Sequence, residues 1–194
     1  MTATIRAGRF WLLEAESAPP AADALARVPV RLAALGPGDV PLEHAARLAP
    51  GRRAFGAWVD DTLAAWGWAS TTPEHVGELG LWINLRPGEA YVWDCVTRPE
   101  HRGQGLYRAL IAHMAAALRA EGGGRVWIGA DLGNTPSQHG IAGAGFLPVV
   151  DLLLARLRPD LTLMWLERLP GASEAQAAAA TYALFGERAR APRK

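Results

Sequence analysis

Pro99-Glu100-His101-Arg102-Gly103-Gln104-Gly105-Leu106-Tyr107 is the stretch on which the reading of this sequence turns. It follows Ala90–Thr97, an apolar run with strand character, and it opens the segment Gly105–Ala120. In that segment Leu106, Leu110, Met114 and Leu118 recur every four residues, which places them on one face of a helix. A strand therefore feeds a helix through a bend that holds two glycines. A helix start presents backbone N–H groups without intrahelical partners, and its dipole favours an anion there. Gly103 and Gly105 let the main chain bend and approach a bulky phosphate, and Arg102 adds a positive fork of donors. The chemistry suits a diphosphate, although the same glycines also serve an ordinary strand-to-helix turn. Two common phosphate loops are excluded. No Gly-Lys-Ser/Thr occurs, and Arg108 stands where a dinucleotide fingerprint needs its third glycine.

Upstream, the pattern predicts mainly strands. Arg9–Glu16 is an ambiguous strand and Ala21–Val28 a short helix after Pro19-Pro20. Pro29–Leu35 reads as a strand, and Asp39 as the cap of a short helix through His44 to Leu48. Arg53–Asp60 and Thr62–Thr71 form a hairpin around Asp60-Asp61, and Leu79–Leu85 with Ala90–Thr97 a second pair. Downstream, Gly122-Gly123-Gly124 stops the long helix and Arg125–Ala130 is a strand, so strand, helix and strand follow in order. Thr135-Pro136-Ser137-Gln138 predicts the next helix, with Thr135 as cap and Gly145 as its end. Leu147–Leu157 and Leu161–Leu169 flank Pro159-Asp160 as strands, and Ser173-Glu174-Ala175-Gln176 is a capping box before an alanine-rich helix. Residues after Arg188 are expected to fray.

The expected fold is α+β, a three-layer arrangement with a mixed, mostly antiparallel central sheet and helices on both faces. Residues 1–28 are read as an N-terminal extension, 29–169 as the main domain, and 170–194 as a C-terminal helix and tail. That helix packs back on the domain or onto the partner of a homodimer. The 20 basic and 19 acidic side chains nearly cancel, which argues against a nucleic-acid-binding domain. The single cysteine, Cys95, gives no disulfide framework and fits a reducing, cytoplasmic setting. No run approaches the roughly 18 apolar residues of a membrane span. The five histidines show no ligand spacing, so no metal is expected, and no Gly-x-Ser-x-Gly elbow supports a serine hydrolase.

The loop resembles the coenzyme A signature of the GCN5-related N-acetyltransferase superfamily: Arg102, Gly105 and position 107, three residues after Pro99. Asn134-Thr135-Pro136-Ser137 followed by Gly145-Phe146 looks like that family's asparagine-led helix with its closing Gly-Phe. The resemblance runs from about Pro29 to Leu169. It implies transfer of an acyl group, most often acetyl, from acetyl-CoA as co-substrate to a primary amine. The amides of Gly103, Gln104, Gly105, Leu106 and Tyr107 would hold the pyrophosphate. The main chain around Cys95, Val96 and Thr97 would pair with the pantetheine arm and polarise the thioester carbonyl. Asn134, with Ser137, would bind the arm or organise the splayed strands, and Arg102 would either bind the diphosphate or brace the loop from behind.

Three departures from the family pattern matter. Tyr107 replaces a Gly or Ala, and its side chain either packs, points outward or covers the coenzyme. Ile141 occupies the place of the usual tyrosine acid. Ala90 and Tyr91 stand where a glutamate base is frequent. A neutral amine is the harder requirement, because an ammonium of pKa about 10.4 must first lose a proton. Glu89 and Tyr91 are the catalytic candidates, with Asp94 and Glu78 as further carboxylates. Cys95 reads as a small buried hydrophobe rather than a nucleophile, and His139 as a helix-surface residue or one facing the substrate. Of eight tryptophans, Trp58, Trp66, Trp68, Trp82 and Trp93 fall in the strands, and a few are expected to line an acceptor pocket. The other readings are a non-catalytic acyl-CoA-binding module and transfer of a longer acyl chain.

Overall fold

Apolar runs bounded by turn residues build the frame of this chain, a single eight-stranded sheet. A computed structural model of the protein describes residues 4–77, 79–158 and 161–188. The strands are β1 (Thr4–Glu14), β2 (Arg31–Leu35), β3 (Arg52–Val59), β4 (Thr62–Ser70), β5 (Glu74–Val76), β6 (Leu81–Ile83), β7 (Glu89–Thr97), β8 (Arg125–Asp131), β9 (Leu147–Arg158) and β10 (Leu161–Arg168). The helices are α1 (Ala22–Leu25), α2 (Leu106–Ala120), α3 (Thr135–Gly143) and α4 (Glu174–Phe185). Eight strands form the sheet in the order β10-β9-β1-β8-β7-β4-β3-β2, while β5 and β6 make a separate pair. Every neighbouring pair is antiparallel except β7 and β8, which are parallel and joined by α2. The fold is therefore α+β with a mixed, mostly antiparallel sheet.

The two faces carry separate cores. On one, α2 and α3 pack through Leu106, Leu110, Ile111, Met114, Leu118 and Ile141 against Trp11, Leu13, Phe55, Val92, Val126 and Ile128, with Ala22 and Leu25 of α1 at the margin. Full burial of each large apolar side chain of α2 contributes about 1.5–3 kcal/mol. On the other face, Ala179, Ala180, Ala183 and Leu184 of α4 lie on Phe10, Leu12, Tyr91, Trp127 and Leu152. The small alanine side chains let α4 approach closely. Ser173 and Gln176 form the reciprocal capping box that starts it.

The largest departure from the sequence reading is β1. Residues 4–14, read as part of an N-terminal extension, form an inner strand of the sheet, third of the eight. It pairs with β8 from Gly8↔Asp131 to Glu14↔Arg125, and with β9 on its other edge. Leu81–Ile83 does not pair with β7 either: it joins Glu74–Val76, and β7 pairs directly with β4. The helix expected after Asp39 is a 3-10 turn at Leu42–Arg47, and Asp39 instead accepts a hydrogen bond from the Gly36 amide at 3.0 Å. Asn134, one residue earlier than expected, caps α3, its side chain accepting from the Ser137 amide at 3.2 Å. The Asp60-Asp61 turn forms without glycine because Asp60 adopts φ 52°. Glu78, the Pro159-Asp160 turn and the tail beyond Arg188 lie outside the described residues.

Candidate active site

The parallel pairing of β7 with β8 runs only from Glu89↔Arg125 to Val92↔Ile128. Beyond it the two strands part, β8 staying with β1 and β7 with β4. β7 also carries a bulge: Trp66 pairs with Val96 but Trp68 with Trp93, so one extra residue enters β7. Asp94 takes the left-handed φ of 46° there. Gly67 faces the bulge, where an added Cβ would lie 2.5 Å from the Cys95 sulfur. The edge of residues 95–97 turned towards β8 consequently has no strand partner among the described residues.

Two cavities meet at this opening. The larger, about 780 Å³, lies between the glycine loop, the bulge and α3. Cys95, Val96, Thr97, Arg102, Gly103, Gly105, Leu106, Tyr107, Asn134 and Ser137 line it, so nearly all the residues proposed for coenzyme come together. Its charged lining is cationic, with Arg27, Arg102 and Arg108 and no carboxylate. Gln104 is the exception, its carbonyl accepting from the Arg27 amide at 2.8 Å.

The loop fits a phosphorylated ligand. The amides of residues 103–108 find no backbone acceptor among the described residues. Gly103 has φ +77° and open space where a side chain would stand, whereas a Cβ on Gly105 would meet the Leu25 carbonyl oxygen at 2.4 Å. Gly103 thus faces the cavity, and Gly105 is required by the approach of α1. Arg102 donates to the Thr97 carbonyl at 3.4 Å and also lines the cavity, so it both braces the loop and contributes charge. Thr97 Oγ1 and His101 Nδ1 are buried here without a hydrogen-bond partner among the described residues, donors or acceptors for a bound molecule.

The second cavity, about 310 Å³, opens on the α4 face. Its walls include Phe10, Val76, Ile83, Tyr91, Leu152 and Leu184, with Arg9, Asp94 and Asp131 as the charged groups. Arg9 is held by Asp151 through bonds of 2.7 and 2.9 Å. Asp94 pairs with Arg47 of the 3-10 turn. Cys95, Tyr107, Asn134 and Ser137 border both cavities and form the partition between them.

Of the two catalytic candidates, Tyr91 lines the smaller cavity and Glu89 lines neither. Glu89 is buried at the start of β7, accepts from the Arg86 amide at 3.1 Å and pairs with Arg125 at 3.5 Å. Arg125 also holds Glu14 at 2.9 Å, so Glu89 ties β7 and β8 to β1. The tryptophans do not line the smaller cavity. Trp58 and Trp68 fill a core of their own with Trp66 and Trp93 at its margin, and Trp82 is exposed beside His75. Phe10 and Tyr91 supply the aromatic wall instead. His139 lines the larger cavity rather than the smaller one.

Burial pushes the Cys95 thiol up to about 12, and the adjacent Asp94 carboxylate adds to the rise, so the thiol stays neutral rather than nucleophilic. Burial likewise raises the Tyr107 phenol, the Cys95 thiol reinforcing the shift and a hydrogen bond with Ser137 opposing it. The sequence left open whether the Tyr107 side chain packs, points outward or covers the coenzyme, because its neighbours, Ser137 and Gly140, lie some thirty residues away. Among the described residues no group of three His, Cys, Asp or Glu side chains is arranged to hold a metal, and no helix is long and apolar enough to cross a membrane.

Comparison with known proteins gives the class. The model of the acetyltransferase (GNAT) family matches residues 25–146, more than half of the chain, and the chain belongs to that family. A search of curated proteins found no match. Among solved structures, a tandem GNAT protein from the clavulanic acid biosynthesis pathway superposes with TM-score 0.53 at 22% identity, over 87% of this chain and 55% of that one. A GNAT-family protein from Novosphingobium aromaticivorans DSM 12444 gives TM-score 0.51 at 21% identity, over 87% of this chain and 68% of that one. A GCN5-related N-acetyltransferase from Kribbella flavida gives 0.51 at 17%, over 82% and 62%. The chain spans little more than half of the tandem protein, and these likenesses establish the fold.

Proposed function

We propose that the chain is an N-acyltransferase that moves an acyl group, acetyl first, from its coenzyme A thioester to a primary amine of a small molecule or peptide by direct attack. The observation that carries this reading is the meeting of a cationic cavity and a smaller, acid-bearing cavity at the splay of β7 and β8. The free amides of residues 103–107, with Arg27, Arg102 and Arg108, bind the phosphates. The unpaired edge of Cys95, Val96 and Thr97 takes the pantetheine arm as an added strand, with Asn134 and Ser137 on its other side. An amide at the bulge polarises the thioester carbonyl and stabilises the oxyanion.

The acceptor enters by the smaller cavity, where Tyr91 and Phe10 contact its apolar part. Asp94 and Asp131 attract its ammonium form and hold the water through which it sheds a proton. Glu89 serves as a positioning charge through Arg125. Both substrates occupy the protein together, and the work is done in the cytoplasm without a metal. The test is titration with acetyl-CoA, followed by thiol release against a panel of primary amines. Binding with amine-dependent release supports the transferase. Binding that no amine accelerates favours a non-catalytic acyl-CoA-binding module, a reading motivated by the apolar Ile141 and by Glu89 being engaged by Arg125.

A further inference from the structure

Acyl transfer leaves a thiolate that must gain a proton, and the position from which a donor is expected is filled by Ile141. That side chain is fully buried in the core against α2 and carries no proton to give. The partition between the cavities holds a hydroxyl on another element. Tyr107, the second residue of α2, borders both cavities beside Cys95 and Ser137, and the edge of its ring lies on Gly140 of α3. A Cβ on Gly140 would stand 2.5 Å from Tyr107 Cδ1, so the absence of a side chain at 140 makes room for the ring. Ser137 borders both cavities with it and is the polar side chain that acts on the phenol.

We propose that Tyr107 is the proton donor to the leaving thiolate, supplied from α2 in place of a donor on α3; the assignment rests on the acyl-transfer reading above. The amine nitrogen forms a bond to the thioester carbonyl carbon, and the C–S bond breaks as the resulting oxyanion collapses. The sulfur takes the proton of Tyr107 Oη as it departs. The phenolate regains a proton from the one shed by the attacking nitrogen, carried through water in the smaller cavity. Amide and free thiol are the net products, and the protein ends as it began.

The proton affinities are compatible. The surroundings that push the Cys95 thiol up to about 12 would make a coenzyme thiolate released beside it more basic than in water. A phenol raised by the same burial then gives up its proton at little cost, while remaining protonated at neutral pH until the sulfur departs.

Tyr107→Phe keeps the ring on Gly140 and removes only the hydroxyl. Acetyl-CoA is titrated into both proteins, and thiol release is then followed with hydroxylamine, an amine largely neutral at pH 7. The expected result is an unchanged dissociation constant and melting temperature, with kcat lower by about 10²-fold. Ser137→Ala should lower kcat at saturating acetyl-CoA by about threefold to tenfold, and, because Ser137 also flanks the path of the arm, should weaken coenzyme binding as well. Equal kcat in wild type and Tyr107→Phe overturns the assignment, as does faster turnover in the variant, which would make the hydroxyl an obstruction. Failure of the wild type itself to bind acetyl-CoA is a separate outcome and removes the acyl-transfer reading first.

Discussion

The ring of Tyr107 and the α-carbon of Gly140 are in direct contact, with Cδ1 and Cε1 lying 2.5 and 2.9 Å from where a Cβ would be built. α2 and α3 meet there because one side contributes an aromatic ring and the other nothing. Gly140→Ala gains up to about 1 kcal/mol of helix propensity but must displace the ring. Its melting temperature should stay close to that of the wild type. Thiol release should fall by about tenfold to a hundredfold, since small misplacements at a reacting centre are that costly.

Gly103 and Gly105 have different jobs, which separates a binding variant from a folding one. Gly103→Asp places a carboxylate in the open mouth of the loop. It costs about 1–2 kcal/mol for its left-handed backbone and should weaken acetyl-CoA binding at least tenfold, measured by calorimetric titration. Gly105→Asp meets the Leu25 carbonyl and should fail to give a cooperative melt at all.

The Cys95 thiol titrates well above its ordinary value in the fold, so the unfolded chain loses this proton first as pH rises. The stability it contributes is complete below about pH 9 and is lost progressively towards about 12. Urea midpoints between pH 8 and 11 should fall less steeply in Cys95→Ala than in the wild type. Iodoacetamide at pH 8 should label the native thiol far more slowly than the denatured one.

Glu74 is buried beneath Arg52, which holds it through bonds of 2.7 and 2.8 Å, and Ser70 donates to it at 2.5 Å. Ser70 in turn accepts from the Trp93 indole at 2.9 Å, next to the bulge. Glu74→Ala leaves the Arg52 charge and the Ser70 hydroxyl unanswered. About 2–3 kcal/mol of stability should be lost, with the partial exposure of Arg52 keeping the figure below that of a fully buried pair. Urea denaturation measures it.

Removal of residues 1–14 takes β1 from between β8 and β9 and exposes two sheet edges. The truncated chain should be recovered insoluble, or show no cooperative thermal transition by circular dichroism.

What was legible in the sequence was local. The glycine loop, the four-residue spacing of α2 and the Ser173 capping box each depend on neighbours within a few positions. The parting of β7 from β8 could be expected only through family resemblance. β1 was obscure for a physical reason. Phe10-Trp11-Leu12-Leu13 is a continuous apolar run, as a strand buried on both faces should be, yet its partners lie more than a hundred residues away. The contact of Tyr107 with Ser137 and Gly140 is likewise long-range. Glu89 looked catalytic by adjacency, but its side chain is claimed by Arg125 from the neighbouring strand.

The placement of β1 also sets the timetable of synthesis. Leu13 leaves the ribosome far ahead of Val126, its partner on β8, and further still ahead of the β9 residues on its other edge. At about 5–20 residues per second, this greasy ribbon waits several seconds, up to about half a minute, before either flank exists. The nascent protein must keep Phe10-Trp11-Leu12-Leu13 out of foreign company for that interval. Slower translation beyond residue 14 would lengthen its exposure and lower the soluble yield.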